Sequence, residues 1–106
     1  MNTERIKQLK AFLEEDPNDA FTKYALAMEH LEELPSQSLE LFEDLLKNHP
    51  DYIGTYYHAA ALMAEMDMRE RAEETYKKGI TTAQNLGDHH ALRELQTAYT
   101  NFQFDE

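Results

Sequence analysis

Five histidines and a large surplus of carboxylates are the side chains of this 106-residue sequence that could do chemistry. The histidines are His30, His49, His58, His89 and His90. A zinc site needs three or four nitrogen, sulfur or oxygen ligands converging on one point. There is no cysteine, so thiolate ligands, disulfides and a cysteine nucleophile are excluded. No His-x-x-x-His spacing occurs. His89 and His90 are adjacent and project about 100° apart on a helix, a poor geometry for sharing one ion. His58 approaches Glu65 only across two helical turns. No metal and no cofactor is expected. His89 and His90 read as surface residues near a helix start, and His30 as a packed one.

The acids cluster as Glu14-Glu15-Asp16, Glu43-Asp44 and Glu73-Glu74. Their spacing is that of solvated helix faces. General acid–base work needs positioned groups with tuned pKa values, and nothing here sets such a pair apart. A Gly-rich phosphate loop, a nucleophile motif and a strand to carry one are all missing from the sequence. The chain is therefore expected not to be an enzyme.

With 21 acids against 10 bases, the formal charge is −11. Nucleic-acid backbones and anionic membrane surfaces repel such a chain. Between Tyr24 and Asp67 lie nine acids (Glu29, Glu32, Glu33, Glu40, Glu43, Asp44, Asp51, Glu65 and Asp67) and one base, Lys47. A basic partner is drawn to that region; the blander reading is a solubilising surface. The start is polar, without a signal-type apolar run, and no run is long enough to span a bilayer. A cytoplasmic protein is expected.

The elements that must position these residues are helices. Only three Gly and three Pro occur, and apolar residues recur at helical spacing nearly throughout. Ile6, Leu9, Phe12 and Leu13 form a first stripe, ended by Asp16-Pro17. Phe21, Tyr24, Ala25, Met28 and Leu31 form a second, interrupted at Leu34-Pro35-Ser36. Leu39, Phe42, Leu45 and Leu46 follow, up to His49-Pro50. Tyr56, Ala59, Ala60 and Met63 make a fourth, ending near Asp67. Ala72, Tyr76, Gly79, Ile80 and Ala83 make a fifth, which Gly87 can close by tolerating positive φ. Asp88 can cap a last helix carrying Ala91, Leu92, Leu95, Ala98, Tyr99 and Phe102. Six helices of about 12 to 18 residues result. Met1-Asn2 and Gln103 to Glu106 are expected to fray.

Self-comparison shows a period. Pro17 and Pro50 are 33 residues apart, as are Tyr24 and Tyr57, and Ala27 and Ala60. Leu9, Phe42 and Tyr76 recur at intervals of 33 and 34, and so do Phe12, Leu45 and Gly79. With two helices per unit, this pattern resembles the tetratricopeptide repeat. Tyr56 stands at the family's Trp position, Ala59-Ala60 at its Leu-Gly, Met63 at its Tyr, Ala72 at its Ala and Tyr76 at its second-helix aromatic. An earlier repeat is more degenerate: Leu26-Ala27, Phe42 and Pro50 fit, whereas Lys23, His30 and Ser38 replace the Trp, Tyr and Ala. The Thr-Pro-Leu-His turn of ankyrin repeats, which share the length, is absent.

The resemblance implies an all-α, right-handed superhelical array of antiparallel helix pairs. It forms one domain over 1–106: an N-terminal helix over 3–16, repeats over 18–50 and 51–86, and a capping helix over 88–103. It also implies a non-catalytic scaffold whose first helices line a concave groove for a partner's peptide or helix. The matching positions are Phe21, Tyr24, Met28, Leu31 and Glu32 in one repeat, and Tyr57, Ala61, Ala64 and Glu65 in the next. Tyr24 would then lie beside Tyr57, and Glu32 beside Glu65. Such a surface suits a protein or peptide carrying apolar and basic groups. The competing reading is that the stripe is core. Family members that clamp a C-terminal carboxylate use Lys and Asn; Tyr24, Met28 and His58 stand there instead, so that role is not expected. The alternative function is self-assembly into a homo-oligomer, with Tyr99, Phe102 and Phe104 as adhesive residues.

Overall fold

A computed structural model describes residues 1–105. Its elements are α1 (Thr3–Glu15), α2 (Ala20–His30), α3 (Pro35–Asn48), α4 (Gly54–Glu65), α5 (Arg69–Leu86) and α6 (His89–Phe104). There is no strand among the described residues. The chain divides into two compact units, Met1–His49 and Pro50–Glu106. Helix α6 reaches Phe104, two residues into the segment expected to fray, and Glu106 lies outside the described residues.

In the first unit, local chemistry sets each helix end. Asn2 caps α1 by accepting from the Arg5 amide at 3.0 Å. The chain turns at Pro17, and Asp19 caps α2 by accepting from the Thr22 amide, also at 3.0 Å. Pro35 opens α3 at the first turn, where its missing N–H has no helical partner to lose. Helix α2 packs between α1 and α3. Ile6, Leu9, Ala25 and Leu26 form a core that Leu13 and Leu41 flank. Ala27, Phe42 and Leu45 are fully buried.

Two expectations fail in this unit. Phe12 is not part of the buried stripe of α1 but 59% exposed. On α2, the buried face is not the apolar stripe begun by Phe21, which is 57% exposed. Of that stripe only Ala25 is buried, and the buried face centres instead on Lys23, Leu26, Ala27 and His30, at the i, i+3, i+4, i+7 spacing of one helix face. A cation and an imidazole hold core positions there, and apolar periodicity cannot see them.

Charge pairing makes that burial tolerable. The Lys23 ammonium lies 2.8 Å from an Asp44 carboxylate oxygen on α3, and the Asn48 side chain donates to the other oxygen. The Ser38 hydroxyl donates to the Ala27 carbonyl at 2.6 Å, which satisfies a polar atom with no solvent access.

The second unit has a drier interior. Tyr56, Ala59, Ala60, Met63, Ala72 and Ala83 are all 0% exposed, as the fourth and fifth stripes predict. The Tyr56 hydroxyl escapes to the edge and donates to the Pro50 carbonyl at 2.6 Å. Helices α4 and α5 approach so closely that a Cβ on Gly79 would sit 2.7 Å from the Tyr56 Cβ. Asp67, with φ 59°, ends α4 in the left-handed conformation. Gly87, with φ 69°, ends α5, and Asp88 caps α6 by accepting from the Ala91 amide at 3.0 Å.

Helix α6 closes against α5 and α4. Tyr76, Tyr99 and Phe102 cluster with ring centroids 5.4 to 6.3 Å apart. Arg69 lies over the Phe102 ring at 4.2 Å and donates to its carbonyl at 2.9 Å. Phe102 is thus 7% exposed and Tyr99 half-buried, so neither is an adhesive end residue; Phe104, at 83% exposed, is the one that projects.

Candidate interaction faces

The positions assigned to a groove fall on α2 in the first unit and α4 in the second. On α2 and the turn after it, Phe21 and Glu32 are exposed, while Tyr24, Met28 and Leu31 are half-buried. Helical spacing puts Phe21, Tyr24 and Met28 on one side, because Lys23, Leu26, Ala27 and His30 occupy the buried side. On α4, Tyr57 and Glu65 are exposed and Ala61 and Ala64 half-buried. Tyr56, Ala59, Ala60 and Met63 take the inward positions and leave Tyr57, Ala61 and Ala64 facing outward. The small side chains at 61 and 64 leave room above the helix.

In the second unit Tyr57 lines an open concavity of about 370 Å³. Its other walls come from α6: His90, Arg93, Glu94, Thr97, Ala98 and Asn101. Ala61, Ala64 and Glu65 do not line it. Arg93, Glu94, Thr97 and Asn101 fall on the helix expected over 88–103 as a cap and were not among the positions assigned to a groove. Only their recurrence on one side of α6, at i, i+1, i+4 and i+8 from Arg93, hints that they share a surface.

The electrostatics of this concavity are mixed. His90 Nε2 is 3.3 Å from a Glu94 carboxylate oxygen. His58 packs its ring edge-on to Tyr57 at 5.2 Å. Burial pushes the His58 imidazole below its ordinary value, and the nearby Glu94 charge works in the opposite direction. A hydrophobic ring with polar neighbours offers shape and hydrogen bonds to a ligand.

The carboxylates that do have shifted pKa values are not poised for proton transfer. The Lys23 ammonium bonded to Asp44 holds that carboxyl below its usual range, with Asn48 adding to the effect. Hydrogen bonds from Thr22 do the same for Asp19. Both acids stay ionised at neutral pH, whereas a general acid needs a raised value. Among the described residues no three His, Asp or Glu side chains converge as metal ligands would. Among the described residues no helix is long and apolar enough to cross a membrane.

No protein-family model matches the sequence, and neither does any curated protein. Solved structures do. The crystal structure of a tetratricopeptide repeat domain protein from Salinibacter ruber is 43% identical, with a TM-score of 0.80; the match covers 84% of this chain and all of that one. A solution structure of a tetratricopeptide repeat domain protein from the same organism is 44% identical, with a TM-score of 0.81, over 86% of this chain and 93% of that one. A protein from Bordetella parapertussis shares the fold at 20% identity, with a TM-score of 0.78, over 92% of this chain and 86% of that one.

Proposed function

Since this chain belongs to the tetratricopeptide repeat family, we propose that it is a non-catalytic scaffold holding a partner's peptide or helix, with the outward face of α4 in the second unit as the binding surface. The observation that carries this reading is Tyr57, an aromatic ring 41% exposed at the edge of a concavity. Exposed aromatic rings in concave, partly polar surroundings are what interfaces use as anchors. Phe21 offers a similar ring on α2, at 57% exposed.

The fitting partner is a protein segment with apolar and basic residues. Glu32 and Glu65 are exposed, and the chain carries a net charge of −11, so an approaching cation is steered inward. The same charge argues against nucleic acid and anionic membranes as ligands. A cytoplasmic location accompanies this reading.

Affinity capture from native extract tests it, comparing the wild type with a Tyr24→Ala, Tyr57→Ala double variant shown by circular dichroism to be helical. Binding of the captured protein should weaken at least tenfold, the effect of losing one aromatic anchor. Equal retention by both proteins would remove these faces from the account.

Self-assembly into a homo-oligomer is the second reading, favoured by the 83% exposure of Phe104. Phe104→Ser is the clean test, because removing Phe102 as well would open the aromatic cluster. An oligomer that dissociates on this change supports assembly, and a monomer before and after excludes it.

A further inference from the structure

His30 occupies the position in the first unit that Met63 occupies in the second, and it is only 3% exposed. Its Nδ1 is buried without a hydrogen-bond partner. A neutral imidazole tolerates this, since one ring nitrogen is an acceptor and needs no proton donor of its own. An imidazolium does not, because both nitrogens then carry N–H groups that need acceptors. We propose that protonation of His30 makes the first unit acid-labile, so that mild acid opens α2 from its neighbours before the second unit responds.

The charges around His30 reinforce this. From α1 the Lys10 ammonium acts on it with repulsion toward a second cation. On α2 itself Glu29 is the one nearby acid, and its carboxylate is already bonded to the Arg5 guanidinium at 3.0 Å. No charge on α3 acts on the ring. Burial outweighs both neighbours and lowers the imidazole pKa below its ordinary 6.5.

The other histidine of the unit is placed differently. His49 also has a ring nitrogen, Nε2, buried without a hydrogen-bond partner, but its side chain is only half-buried and the Asp19 and Asp44 carboxylates interact with it electrostatically. In the second unit His58 is also lowered by burial, but it is half-buried and Glu94 favours its charged form.

The sign of the linkage follows. A histidine whose folded pKa lies below its unfolded value contributes stability that is present above the unfolded value and is lost as pH falls past it. With an unfolded value near 6.5, lowering pH from 7.5 to 5.5 raises the opening equilibrium by up to about tenfold, the limit set by an imidazole that stays neutral in the fold. The Asp19 and Asp44 carboxyls, held below their ordinary range, stay ionised over that range.

Amide hydrogen exchange on the full chain at the two pH values tests the proposal. After correction for intrinsic rates, opening at α2 amides should rise by up to about tenfold, and opening at α4 and α5 amides by clearly less. In His30→Met, which installs the second unit's residue, the α2 response should fall below about twofold. An undiminished response in His30→Met, or an equal rise in both units, overturns the proposal. Should His30→Met fail to fold, titration of the wild-type His30 imidazole by NMR decides instead: a value well below 6.5 supports it, and one at or above 6.5 overturns it.

Discussion

Lys23 and Tyr56 hold the same place in the two helix pairs, one as a cation and the other as a phenol. Each is nearly inaccessible, at 5% and 0% exposed. The same contrast recurs at His30 and Met63, and again at Ser38 and Ala72, all at most 3% exposed. The helix-pair geometry of the family therefore does not demand apolar residues at these positions. It demands volume, and it accommodates a polar side chain most readily where a partner is at hand. The first unit supplies partners: Asp44 for Lys23 and the Ala27 carbonyl for Ser38. The second unit carries no charge at these positions and gains closer helix contact, with Gly79 against Tyr56. A polar interior of this kind ties the first unit to pH, which an apolar one does not.

Truncating a fully buried leucine of the first unit should have the largest effect. Leu45 is 0% exposed at the position Gly79 holds in the second unit. Leu45→Ala should cost about 3 kcal/mol in urea unfolding, the usual consequence of a buried cavity. If its loss were tolerated, the two units would not share a packing scheme.

The reverse change sharpens the comparison. Gly79→Ala gains about 1 kcal/mol of helix propensity yet forces a methyl to within 2.7 Å of the Tyr56 Cβ, 3.0 Å of its Cγ and 3.3 Å of Leu95 Cδ1. Overpacking should win, leaving a net loss of about 1–2 kcal/mol by thermal or urea unfolding.

The ion pair is next. Asp44→Ala strands the Lys23 ammonium and should cost about 1–2 kcal/mol, less than a fully buried pair because the carboxylate is 34% exposed. Lys23→Met removes the charge itself and should be near neutral. The Asp44 carboxyl is depressed in the fold, so its contribution is whole above its unfolded pKa of about 3.8 and is lost as pH falls through the lower folded value. Acid unfolding of Lys23→Met should accordingly be flatter than that of the wild type below about pH 4.

The smallest effect belongs to the hydroxyl. Ser38→Ala deletes the 2.6 Å bond to Ala27 but leaves that carbonyl within a helix. A loss of about 0.5–1 kcal/mol is expected by the same unfolding assay.

The punctuation of the chain was readable in advance. Pro17, Pro35, Gly87 and Asp88 sit at helix ends because backbone sterics and capping are local effects. The Tyr56, Ala59, Ala60, Met63 face was equally plain, since apolar side chains there face a dry interior. On the buried face of α2, His30 reads as packed through the repeat register, whereas Lys23 looks like a surface residue until Asp44 is in place. Phe12 and Phe21 misled in the other direction, as periodicity marks a side of a helix but not what covers it. Tyr99 and Phe102 looked terminal in the sequence, and only the return of α6 onto α5, pinned by Arg69, makes Phe102 core and half-buries Tyr99. For the interaction faces, the α4 residues were legible through the repeat. The contribution of α6 was not, because Arg93, Thr97 and Asn101 are polar and leave no trace in a hydrophobic pattern.

The claim that Tyr57 marks the working surface is tested most directly by placing a photo-crosslinking residue at position 57 in one sample and at Lys78, exposed on α5, in another. Irradiated in native extract, the first should join a discrete protein through a segment with apolar and basic residues, and the second should not. The same protein crosslinked only from position 78, or none from position 57, would contradict the account.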